Sequence, residues 1–282
     1  MSVGDGLRLA VGTLSVVRVR PPSVVDARTA RWAVLLGPLA VLPLGVAAAL
    51  VVFVGDRLDL PALVVALLVV GTLALGTRAL HLDGLSDVAD GLTASYDAER
   101  SLAVMKSGTS GPAGTVALLV VVGVQVAGLA ALLGSGPRNG ISVSEATALT
   151  GPVLPVPEVP LAVGALVCLS RWALLVTCVA GAPPARTDGL GTPFAGCVPR
   201  WLAVTGAVVL VLLAGACGAL TEAGFARGLV TGAVALVVVG AVLVRCVRRF
   251  NGTTGDVHGA CIEVALAVLL VGVVPTTTYL VG

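Results

Sequence analysis

Charge is scarce in this sequence: only 11% of its 282 residues are Asp, Glu, Lys or Arg. A water-soluble domain carries about 25%, so the chain lacks the polar surface needed to cover a soluble globule. Aromatic residues are scarcer still, with four Phe, three Trp and two Tyr, too few to build an aromatic cage around a large ligand. Lysine is present once, as Lys106, against sixteen arginines. The six cysteines form no CxxC pair and mostly sit in apolar runs, which predicts small buried hydrophobes rather than a metal centre or a disulfide framework. A net charge of +2 spread over loops argues against nucleic acid as a partner.

Long apolar runs are what the sequence has in place of charge, and its mean hydropathy is +1.06. Seven runs approach the 20 residues needed to cross a hydrocarbon core about 30 Å thick: 32–54, 60–80, 112–133, 161–181, 201–220, 229–247 and 260–280. Lipid offers no hydrogen-bond partners, so runs of this kind fold as helices. They are continuously apolar rather than alternating, which excludes an outer-membrane barrel. The expectation is one all-α domain over 1–282, a polytopic membrane bundle of about seven transmembrane helices with short cytoplasmic active-site loops. A short apolar stretch at 7–17, flanked by Arg8, Arg18 and Arg20 and ended by Pro21-Pro22, lacks a cleavage pattern. It reads as an interfacial segment within a cytoplasmic 1–31 region.

The basic residues orient the bundle. Thirteen of them fall on the N-terminal segment and the loops after the second, fourth and sixth runs, against three on the opposite loops. That asymmetry predicts a cytoplasmic N-terminus and an external C-terminus in the cell membrane. The Gly/Pro/Ser-rich stretch 134–160 is then an external loop without evident chemistry.

The informative segments are cytoplasmic, above all 81–111. His81-Leu-Asp-Gly-Leu-Ser-Asp-Val-Ala-Asp-Gly91 places Asp83, Asp87 and Asp90 at i, i+4 and i+7. On a helix they point within an arc of about 60°. Three stacked carboxylates repel one another unless a cation joins them, and hard oxygen donors suit Mg²⁺, with Mn²⁺ as an alternative. The competing reading is a solvated acidic helix face, which the glycines at 84 and 91 make less economical.

Lys106 follows, ahead of Ser107-Gly-Thr-Ser-Gly111-Pro-Ala-Gly114. A lysine before a hydroxyl- and glycine-rich helix start resembles an anion cradle that uses Lys106, Gly111 and Gly114, although the lysine precedes the glycines and no Walker A motif is present. The turn Pro183-Pro-Ala-Arg186-Thr-Asp-Gly-Leu-Gly191 offers a guanidinium. A second turn, Asn251-Gly-Thr-Thr-Gly255-Asp256, sets an aspartate among glycines just before the seventh run. Asp256 is a further candidate ligand or base. Arg171, deep in the fourth run, is costly in lipid and therefore a functional candidate, its plainer alternative being a structural pair with an acid such as Glu263.

These motifs in this order resemble the signature of the cobalamin synthase family (adenosylcobinamide-GDP ribazoletransferases), and the likeness runs from about Arg8 to Glu263. Ser170-Arg171-Trp172, the Pro-Ala-Arg-x-x-Gly-Leu-Gly turn and the Thr-Gly-Asp-x-x-Gly-Ala turn carry it together with the acidic run. Three positions depart: Ser107 and Thr109 stand where an Asp and an Arg are usual, and His258 where an aliphatic residue is. The resemblance implies a Mg²⁺-dependent membrane phosphotransferase. Its reaction joins α-ribazole, or its 5′-phosphate, to adenosylcobinamide-GDP and releases GMP. It also implies catalytic roles for Asp83, Asp87, Asp90 and Asp256, with the first three as metal ligands. Lys106, Arg171, Arg186, Gly111, Gly114 and Gly255 would contact substrate, and apolar helix faces would hold the corrin.

Two rival readings fit less well. A CDP-alcohol phosphotransferase needs an Asp-Gly-x-x-Ala-Arg opening that is absent before Asp83. A cation-coupled transporter places its acids near the bilayer midplane, whereas these follow a run's end.

Overall fold

The computed structural model describes residues 3–94, 96–135, 158–187, 189 and 191–275. These residues form thirteen helices: α1 (Val3–Leu14), α2 (Ala27–Leu35), α3 (Gly37–Ala40), α4 (Leu42–Arg57), α5 (Ala62–Gly76), α6 (Leu80–Ala94), α7 (Ala98–Met105), α8 (Pro112–Gly134), α9 (Glu158–Ser170), α10 (Ala173–Thr177), α11 (Arg200–Leu220), α12 (Phe225–Phe250) and α13 (Gly255–Gly272). No β-strand occurs among the described residues, so the all-helical class holds.

Among the described residues, five helices are long and apolar enough to cross a membrane: α8, the pair α9–α10, α11, α12 and α13. The first expected span is instead divided at Leu36 and Val41, each break lying two residues before a proline that opens the next helix. Its longest part, α4, has 16 residues. The second expected span, α5, has 15 and then bends by 89° into α6. Two of the seven expected crossings are thus shorter than a standard span. The last helix starts earlier than expected, at Gly255, and residues 276–280 of that run lie outside the described residues, as does 136–157 of the external loop.

Outward faces are apolar. Leu119 on α8 and Val237 on α12 are 70% and 71% exposed, an arrangement that only lipid tolerates. Inside, close approach takes the place of large side chains. Gly45 of α4 faces Gly164 of α9, and a Cβ on either would stand 2.7 Å from the other's carbonyl oxygen. A Cβ on Gly218 of α11 would likewise stand 2.8 Å from Gly228 Cα of α12. Small residues at membrane helix crossings allow such backbone contact.

The bend after α5 positions the acidic segment. Arg78 and Ala79 both adopt left-handed φ (58° and 54°) without glycine's freedom. The turn is held by bonds from Ala79 N to Ala74 O (2.7 Å) and from Val16 N to Gly76 O (2.7 Å). Arg78 Nη2 also donates to Gly12 O of α1 (3.2 Å). The short helix α1 packs on α2 and α3, in keeping with a segment that does not span.

Candidate active site

Because α6 is continuous, Asp83, Asp87 and Asp90 share one face, and that face descends. Asp83 is exposed, Asp87 half-buried and Asp90 buried. Asp90 ends against the start of α8, where Oδ2 accepts from Gly111 N (2.6 Å) and Oδ1 from Gly114 N (2.8 Å). A Cβ on Gly111 would stand 2.5 Å from Asp90 Oδ1, and one on Gly114 would collide with Ser86 Oγ and Asp90. The anion held at this helix start is therefore the protein's own carboxylate. Gly111 and Gly114, expected to face substrate, present their amides to Asp90.

The start of α13 is brought to the same helix. Thr254 caps it, accepting from Val257 N, and its hydroxyl donates to Asp256 Oδ2 (3.2 Å). A Cβ on Gly84 of α6 would lie 2.8 Å from Asp256 O, and one on Gly259 of α13 would lie 3.1 Å from His81 Cα. One glycine on each helix thus permits a crossing at backbone contact, and Asp256 joins the acidic face from 170 residues away. Asp87, on α6 outside the spanning helices, registers the crowding. Burial first, then the Asp83, Asp256 and Asp90 carboxylates, push its pKa up to about 6, with Arg186 opposing them.

Arg186 arrives through the pairing of the two glycine-rich turns. Pro184 and Thr253 form a parallel bridge, with Thr253 N donating to Pro183 O (2.8 Å) and Ala185 N to Thr253 O (2.9 Å). Gly252 fits against Pro183 and Ala185, where a Cβ would stand 2.5 Å from Ala185 N. Arg186 Nη2 then donates to Leu102 O of α7 (2.6 Å). Lys106, exposed, closes α7 beside Ser107 and Thr109, whose hydroxyls are 3.0 Å apart.

A cavity of about 250 Å³ lies under these turns, and Arg186, Gly255, Asp256 and His81 are among its lining residues. A shallower depression of about 370 Å³ beside Asp90 is edged by Thr93, Ser107, Thr109 and Gly111. Arg171 lines neither. It is fully buried at the break between α9 and α10, where Nη1 donates to Val167 O (3.1 Å) and Ser170 Oγ (2.7 Å). Glu263 is engaged elsewhere: Gln125 Nε2 donates to its Oε2 (2.8 Å), and His81 Nδ1 stands 3.6 Å from its Oε1.

The sequence assigns no role to His81, Gln125, Phe194 or His258, and gives Glu263 only as the alternative partner of Arg171. Its available signal was the lone amide Gln125 and the lone acid Glu263 in otherwise apolar runs, which is the pattern of a buried polar pair. Among the described residues, no three His, Cys, Asp or Glu side chains converge closely enough to hold a metal ion. The donors around Asp87 are nevertheless all carboxylates, hard oxygen ligands with surplus negative charge. Mg²⁺ keeps several waters and asks a protein for only one or two carboxylates beside substrate phosphate. The donor set fits that demand.

Fold and cleft together define a multi-pass helical membrane protein with its acid and base groups gathered at one end of the bundle. The chain belongs to the cobalamin-5-phosphate synthase family (CobS), whose sequence model matches residues 6–274, and it is a transferase of cobalamin biosynthesis. A protein of Nocardioides sp. (strain ATCC BAA-499 / JS614) named adenosylcobinamide-GDP ribazoletransferase is 49% identical over 94% of this chain and 96% of its own length. Proteins of the same name from Frankia casuarinae and Bradyrhizobium diazoefficiens are each 34% identical, over 93% and 94% of this chain and 92% and 91% of theirs. No solved structure matches the chain.

Proposed function

We propose that the chain transfers adenosylcobinamide phosphate from adenosylcobinamide-GDP to α-ribazole or its 5′-phosphate, releasing GMP. The observation that carries this reading is the docking of Asp256 onto the acidic face of α6 beside Arg186, above one cavity. A ribose hydroxyl attacks the phosphorus that bears cobinamide. A new O–P bond forms, the diphosphate P–O bond breaks, and its electron pair leaves with GMP. Asp256, on the cavity wall, accepts the hydroxyl proton. Arg186 and Lys106 supply cations to the phosphate oxygens, where charge builds in the transition state.

Asp83 and Asp87 would hold Mg²⁺, with Asp256 beside them, while Asp90 fixes the start of α8. The ion would neutralise charge on the diphosphate and on the leaving oxygen. Gly84 serves by close approach, as does Gly191, where a Cβ would stand 2.6 Å from Gly255 N, and Arg171 stays buried at the break between α9 and α10.

The test is direct. Purified protein in detergent, given both substrates and Mg²⁺, is expected to release GMP, and EDTA is expected to stop it. Absence of GMP with both substrates present overturns the reading.

The basic-residue bias further supports insertion in the cytoplasmic membrane, N-terminus inside and C-terminus outside. Single cysteines added at Ser2 and Gly282 are expected to label from opposite sides. Labelling from one side would exclude an odd number of crossings.

A further inference from the structure

The cavity beneath Asp256 is divided in character. Arg186, Thr253, Thr254 and Asp256 supply polar groups to its lining, while Leu14, Leu174, Phe194 and Ile262 supply apolar ones. Phe194 and His258, both lining residues, set their rings 6.3 Å apart, tilted by 58°. His81 adds an imidazole from α6. Its Nδ1 is turned toward Glu263 without a hydrogen-bond partner among the described residues, leaving the opposite edge of the ring for a ligand.

Size narrows the occupant. At about 250 Å³ the space falls just below the roughly 300–1,000 Å³ that encloses a drug-sized ligand. A corrin ring with its amide arms is far larger and is excluded, whereas one nucleoside fits. Chemistry narrows it again. Guanosine would bring an amide and an exocyclic amine against leucine, isoleucine and phenylalanine, leaving them unpaired at a cost. A benzimidazole base has an apolar edge and little to satisfy.

Resting on the transferase reading above, we infer that this cavity is the acceptor subsite, holding the benzimidazole base of α-ribazole between Phe194 and the leucine wall. The ribose then points up toward Asp256 and Arg186, where the transferred phosphate arrives. The corrinoid stays outside, over the open side of α6 and α7.

Binding without turnover tests this. The ligands are α-ribazole alone, adenosylcobinamide-GDP alone and GMP as competitor, with full-length protein in detergent and Mg²⁺. Phe194→Leu is expected to weaken α-ribazole binding about tenfold and leave adenosylcobinamide-GDP within about twofold. Phe194 is buried, so a second variant is chosen at Leu80, a lining residue that is 45% exposed. Leu80→Trp narrows the cavity mouth and is expected to give the same selective loss, while GMP fails to displace α-ribazole. The assignment is overturned if α-ribazole affinity is unchanged in both variants, if both ligands weaken equally, or if GMP displaces α-ribazole. GMP release by the unaltered enzyme stands apart from all of these, so this subsite can fail while the transferase reading survives.

Discussion

Asp90 accepts a 2.8 Å hydrogen bond from the backbone amide of Gly114, and through it a catalytic-looking aspartate becomes the anchor of a membrane helix. Its second oxygen takes Gly111 N, so both ends of the carboxylate are committed to α8.

Asp90 and Asp83 are therefore expected to fail differently. Asp90→Ala leaves two amides without their acceptor, and charge-assisted bonds of this kind contribute about 1.5–3 kcal/mol. A fall in thermal stability in detergent is expected along with lost activity. Exposed Asp83, changed to Ala, is expected to abolish turnover with an unaltered melting temperature. Equal melting temperatures for the two variants would contradict the anchoring role of Asp90.

Gly84→Ala tests the crossing of α6 and α13. The added methyl meets the Asp256 backbone at about 2.8 Å, closer than packed atoms stand, so the helices must part. Turnover is expected to fall at least tenfold with helical content by circular dichroism unchanged. Normal activity would mean that Asp256 need not touch the acidic face.

Asp87 sets a pH dependence. Its carboxyl is held near pKa 6 in the metal-free protein, above the ordinary 3.8, so it is partly protonated in mildly acidic solution. Metal binding requires the ionised form and releases the proton. Apparent Mg²⁺ affinity is thus expected to be full above about pH 7 and to fall as pH drops through 6. Asp87→Asn is expected to bind weakly and to lose that slope. The same raised pKa makes Asp87 a group whose contribution to stability is best at low pH and declines as pH rises through about 6.

Lys106 is expected to contact substrate phosphate. Lys106→Ala should lower kcat/KM by on the order of 10²-fold, the scale of losing one charge-stabilising group, and Lys106→Arg should not restore it, since a forked head replaces a point charge. Normal turnover in both variants would reduce the residue to a loop anchor.

Much of this architecture is legible in the sequence, and the illegible parts share a cause. The i, i+4, i+7 aspartates give the acidic face because helix geometry is local. Pro38 and Pro43 likewise mark where the first run breaks. The bend at Arg78–Ala79 is hidden because neither residue favours left-handed φ, and contacts from α1 hold it there. Asp90 looks like its two neighbours because its partners are backbone amides more than twenty residues on, and every residue has an amide. The meeting of Arg186 with Asp256 depends on one bridge between two turns, Pro184 with Thr253, for which neither turn carries a pairing signature.

The brevity of α5 gives the enzyme a stake in its lipid. Fifteen helical residues rise about 22 Å, several ångströms less than a hydrocarbon core about 30 Å thick, and the acidic helix leaves from their end. A bilayer meeting so short a wall thins or dimples there. Reconstituted in lipids of increasing acyl-chain length, the protein is expected to slow as the dimple becomes costlier, because water and phosphate must descend farther to reach Asp83 and Asp87.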